Sequence, residues 1–145
     1  MSLVQVATET VTSAVAQVDL IGTTTDDVYM IAFNNVQPVN DNVQLICRVL
    51  VSDSPDTSSN YDRAGKQITS GNFGNLNGTN ESFTFISGSN TGTGTSETNQ
   101  GILYLYEFNN SSEFSFATIE TINRDAGAVH IFSIQGGFIN TVNQS

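Results

Sequence analysis

Residues 27–52, DVYMIAFNNVQPVNDNVQLICRVLVS, place large apolar side chains at every second position twice over. Tyr29, Ile31 and Phe33 share one face of a first segment, and Val43, Leu45, Cys47, Val49 and Val51 share one face of a second. A period of two lets a strand bury one face and wet the other, whereas a helix needs a period near 3.6. Between the segments, Pro38 fixes φ, and Asn40, Asp41 and Asn42 offer side chains that bond their own backbone and end a strand. The pattern predicts two strands joined by a polar turn.

The same grammar continues. Residues 3–17 are rich in Val and Thr and predict one or two short strands. Residues 53–71 read as the longest connector and 72–80, NFGNLNGTN, as turn formers. Phe83 and Phe85 share a face of a short strand. Residues 88–100, GSNTGTGTSETNQ, hold no large apolar side chain and predict a mobile exposed loop. GILYLYEF, residues 101–108, is apolar on both faces and predicts a central strand. Strands over 113–123 and 128–134 and a last short run over 138–142 complete the count. Eight or nine strands joined by Gly, Asn, Asp and Ser turns predict an all-β fold, an antiparallel β-sandwich or jelly roll. The expected inward residues are Tyr29, Ile31, Phe33, Leu45, Val49, Phe83, Phe85, Leu103, Leu105, Phe116 and Ile131.

A chain of 145 residues is one domain's worth, here a single sandwich over 1–145, and can form a core without staples. One cysteine allows no internal disulfide. Four Lys and Arg against 14 Asp and Glu give a net charge of -10, which disfavours nucleic acid and anionic membranes as partners. No apolar run of membrane-spanning length occurs, so no membrane insertion is expected.

Chemistry is sparse. His130 is the sole histidine and lacks a nucleophile motif, so it reads as a structural or surface residue. Cys47 is in phase with Val43, Leu45 and Val49 and reads as a small buried hydrophobe. One His and one Cys are too few for zinc. Glu107 and Glu120 lie in expected strands and are a conceivable glycosidase pair, although no motif accompanies them. Asp53 and Asp56, with Asp26, Asp27 and Asp41 nearby, are calcium candidates, although Asp is also the ordinary turn residue. The expectation is a non-enzymatic chain with no cofactor.

The stretch Tyr29-x-Ile31-x-Phe33-x-Asn35-Val36-x-Pro38-x-x-Asp41-Asn42-x-x-Leu45, with Arg48 after it and the pair Asn60-Tyr61 further on, resembles a family of small β-sandwich virion structural proteins of tailed, often marine, bacteriophages. The resemblance spans most of the chain and is distinctive over 27–52. It implies a structural protein on the virion surface, a fibre or host-adsorption module, with a capsid-decorating or cement role as an alternative. Apart from the resemblance, loops with exposed Asn, Asp and Tyr61 leave a carbohydrate-binding module as a further alternative. The accompanying expectation is a homo-oligomer, a trimer, contacting other virion proteins and a host-surface glycan. Loops 23–26, 53–67 and 88–100 would face the partner, with Thr24, Asp26, Asp56, Tyr61, Arg63, Thr93 and Glu97 as the contact residues. Such sequences often run past the point matching Phe138-Ile139-Asn140 into another strand. Here the chain stops at Ser145, which predicts an open edge beside the last strand, covered by another copy or another virion protein.

Overall fold

The computed structural model describes residues 3–23, 28–108, 110 and 113–139. Among the described residues there are ten strands: β1 (Tyr29–Val36), β2 (Ile46–Cys47), β3 (Leu50–Val51), β4 (Ser54–Pro55), β5 (Tyr61–Ile68), β6 (Phe73–Glu81), β7 (Thr84–Phe85), β8 (Asn99–Tyr106), β9 (Ser115–Arg124) and β10 (His130–Ile139). The fold is all-β and sandwich-like, as the alternation predicts. Among the described residues no helix is long and apolar enough to cross a membrane.

Six strands form one antiparallel sheet in the order β1-β8-β9-β10-β5-β6. Two ribbons, β2 with β7 and β3 with β4, belong to a second, irregular layer. The core lies between the layers: Val49, Tyr61, Leu103, Leu105, Phe108 and Ile119 are buried, with Tyr29, Ile31, Phe33, Val51 and Ile86 packed against them. Leu103 and Ile119 face each other across β8 and β9, so the inward positions of those strands are set by their best-buried aliphatics.

Several segments depart from the expectation. β1 pairs with β8, Tyr29 opposite Leu105, and not with the segment that follows it. After Val36 the chain crosses into the second layer, where the expected second strand is divided. Val43 bridges Thr91, Ile46–Cys47 pairs with β7, and Leu50–Val51 pairs with β4. The "connector" 53–71 contains β5, and the turn-rich run 72–80 is nearly all of β6. Residues 3–23 hold no strand, and 3–22 are exposed. Phe116 is 48% exposed, because the inward face of β9 is Ser115, Ala117, Ile119, Thr121 and Asn123. The last strand is not an edge: β10 pairs with β9 on one side and β5 on the other. The sheet's edges are β1 and β6.

Candidate functional site at the loop end of the sheet

Three connections meet at one end of the sheet: residues 37–42 after β1, 90–98 before β8, and 124–128 between β9 and β10. They are tied by polar side chains. Gln37 Nε2 donates to the carbonyls of Gly94 (2.8 Å) and Glu97 (3.3 Å). Asn90 Nδ2 donates to Asn42 Oδ1 at 3.0 Å. Arg124 Nη1 donates to the Thr95 carbonyl at 3.2 Å. Asp125 Oδ1 accepts the amides of Gly127 (2.9 Å) and Val129 (2.8 Å), which shapes its own turn.

The segment 88–100 is therefore not a free loop. Thr91 is fully buried, and Asn99 is 1% exposed. Asn99 Nδ2 donates to Thr91 Oγ1 at 2.8 Å, and the Thr91 hydroxyl returns a bond to Asn99 Oδ1 at 3.1 Å. The exposed part is the tip, 93–96. Thr93 is exposed there, and its amide donates to Asp41 Oδ1 at 3.3 Å. Glu97 is half-buried, and its carboxylate accepts the Gly94 amide at 2.7 Å. Both carboxylates lean over Gly92: a Cβ there would run into Glu97 Oε2 and lie 2.7 Å from Asp41 Oδ1. The tip is thus acidic and held by its own amides. It offers acceptors to a partner's hydroxyl or cationic groups, and no nucleophile with a base.

The other expected contact residues lie elsewhere. Thr24 and Asp26, with Asp27, are outside the described residues. Tyr61 is a core residue, 2% exposed, and not a loop contact. Its hydroxyl donates to the Asp56 carbonyl at 3.0 Å and accepts the Val49 amide at 3.1 Å. Burial pushes its pKa up to about 12. Arg63 also lies in β5 and points inward; its side chain is 11% exposed, 3.3 Å from Glu81 and 4.7 Å over the Phe85 ring. Neither residue can face a partner.

The calcium candidates do not converge. Ser52 and Asp53 both have positive φ and form the two-residue turn between β3 and β4, which matches the twist of the strands. Asp56 accepts bonds from the Ser58 amide (2.9 Å), the Ser58 hydroxyl and Asn60 Nδ2 (3.4 Å). Partial burial raises its pKa, but these hydrogen bonds outweigh that and hold it below the ordinary value. Among the described residues no group of three or more His, Cys, Asp and Glu could hold a metal ion.

The acid pair does not form either. Glu107 follows β8 with φ 58° and accepts Asn110 Nδ2 at 3.1 Å, while Glu120 stands on the exposed face of β9 opposite Ile102. Cys47 is half-buried with its thiol pushed up to about 11 by burial, so it is a poor nucleophile. His130 opens β10 and is exposed, opposite Arg124.

One functional feature escapes the alternation argument. The sheet's outward face carries Ile102, Tyr104, Ile122, Phe132 and Ile134, each at least 36% exposed. Its inward face buries Asn99, Thr121, Asn123, Ser133 and Gln135. The sequence signal was present in β10, where Phe132 and Ile134 alternate with Ser133 and Gln135. No family model, curated protein or solved structure matches this chain.

Proposed function

We propose that this chain is a non-enzymatic structural protein on the outer surface of a tailed bacteriophage virion, a fibre or host-adsorption module that works as a homo-oligomer. The observation that carries the assembly part is the large apolar face that the sheet leaves uncovered, a feature of subunits that bury surface against a neighbour. The virion part rests on the resemblance over residues 27–52, a stretch that holds β1, the tied turn 37–42, β2 and β3, with the core residue Val49 between the last two.

In this reading the six-stranded sheet is a rigid plate, and the loop end built from 37–42, 90–98 and 124–128 is the outward contact. Its exposed Thr93 and the carboxylates of Asp41 and Glu97 suit a hydroxyl-rich host glycan or a basic patch on another virion protein. The independent carbohydrate-module reading loses its aromatic platform, since Tyr61 is in the core.

Density for this fold on the exterior of intact particles, in an electron-microscopy map of the virus that encodes it, is the expected result. Absence of the chain from purified particles, by mass spectrometry, would remove the proposal.

A further inference from the structure

Ile102, Tyr104, Ile122, Phe132, Ile134 and Phe73 are 36% to 62% exposed on the outward face of one sheet. Side chains of this size at such exposures leave on the order of 500 Å² of apolar surface open, near the upper end for one patch on a soluble monomer. Ala32, Ala64 and Ile68 stand among them and bring the face toward the roughly 800 Å² per partner of a stable interface.

Charge marks the same face. The chain carries a net -10, yet its outward sheet positions hold two acids, Asp62 and Glu120, and two bases, Lys66 and Arg124. This is the formally neutral part of a strongly acidic molecule, where two copies meet without the repulsion that their other surfaces impose.

The register supplies the symmetry. Glu120 in β9 and Lys66 in β5 are both opposite Ile134 in β10, one on each side. Their backbones are therefore about 10 Å apart, two strand spacings, with Ile134 midway. A twofold axis lying along β10, between two sheets stacked face to face, carries β9 of one copy over β5 of the other. Glu120 then meets Lys66 of the second copy, and Lys66 meets its Glu120. Ile134 packs on Ile134, and Phe132 on Phe132. Such a self-complementary patch is what an isologous dimer requires.

We propose that this face is the interface between two copies of the chain, related by a twofold axis through Ile134. The inference rests on the self-association in the proposed function, but its test is in solution and does not depend on where the chain sits in a particle. Sedimentation velocity of the full chain at about 100 µM, well above the Kd of a standard-size interface, is expected to give a dimer. Ile134→Glu, which sets two carboxylates against each other on the axis, is expected to give a folded monomer. Glu120→Lys and Lys66→Glu singly should each weaken the dimer by on the order of tenfold, and the double variant should restore it. Wild-type protein that sediments as a monomer or a trimer overturns the proposal. So does a double charge swap no tighter than the single variants, with circular dichroism showing each variant folded.

Discussion

The Tyr61 hydroxyl accepts the Val49 amide at 3.1 Å and so fastens the first residue of β5 to the second layer. The same hydroxyl donates to the Asp56 carbonyl at 3.0 Å. One phenol therefore satisfies two backbone groups on either side of the β3–β4 ribbon, at the buried heart of the core.

Tyr61→Phe keeps the ring and orphans both backbone groups. Stability in urea should fall by about 1–3 kcal/mol, the penalty for unsatisfied buried polar atoms. A loss below about 0.5 kcal/mol would mean that water reaches this spot.

Alkaline pH probes the same environment. Burial raises the Cys47 thiol from 9.0 to about 11 and the Tyr61 phenol from 10.0 to about 12. Both groups bind their proton more tightly folded than unfolded, so their contribution is complete below pH 9 and is lost as pH rises through 11 and 12. Melting temperature should fall across that window. Cys47→Ala should flatten its lower part and Tyr61→Phe its upper part; a wild-type curve that stays level there would contradict the burial of both groups.

Two glycines give opposite expectations. A Cβ on Gly65 would lie 2.5 Å from the Ile134 carbonyl oxygen and 2.8 Å from the Gln135 Cα, both backbone atoms of the paired strand. Gly65→Ala should therefore cost about 1–3 kcal/mol or more. A Cβ on Gly136 meets nothing nearer than the Ala117 oxygen at 3.9 Å. Gly136→Ala should be neutral or add up to about 1 kcal/mol by restricting the unfolded chain. Equal effects in thermal melts would undo the assignment of inward and outward positions.

The inward face carries a polar row with uneven satisfaction. Thr121 and Ser133 share a hydrogen bond at 2.6 Å, whereas both side-chain polar atoms of Gln135 and of Asn123 are buried without a partner. Gln135→Met keeps the volume and removes the orphaned amide, so it should raise stability by about 1–3 kcal/mol. Thr121→Val should lower it by about 1 kcal/mol, since the Ser133 hydroxyl then loses its mate. Chemical denaturation of the two variants distinguishes them by sign.

Period-two alternation made Tyr29, Ile31 and Phe33 legible as one face, and the apolar run 101–108 legible as an inner strand. It failed where the neighbour, not the residue, decides. Gly65, Gly74 and Gly78 look like turn residues, yet β5 and β6 exist because adjacent strands complete their backbone hydrogen bonds, and at Gly65 the backbone of β10 comes too close for a Cβ. Phe116 looks like core, but Ile119 on the opposite parity is 1% exposed and fixes the strand's orientation. Of the expected contact residues, Thr93 and Glu97 do lie at the loop end. Tyr61 and Arg63 do not, because the strand that holds them was hidden in a polar connector. Thr91 and Asn99 are buried by bonding each other, which no hydrophobicity pattern reveals.

Proteolysis should reverse the order of susceptibility that composition suggests. Residues 88–100 are the most loop-like by sequence, but Thr91 bridges both Val43 and Asp125, and Gln37 and Arg124 bond the tip. Residues 3–23 look more like strand and hold none; Leu3 is 84% exposed, Val4 79% and Ile21 66%, and the bond from Gln17 to Asp19 is local. Cleavage needs backbone that is both exposed and free of sheet pairing, which favours the amino-terminal segment. That segment has no Lys or Arg, so thermolysin is the suitable reagent. Its first cuts should fall within 3–23 and leave a fragment containing 28–139 that melts within about 3 °C of the intact chain. First cuts within 88–100 would mean that the ties at the loop end do not hold in solution.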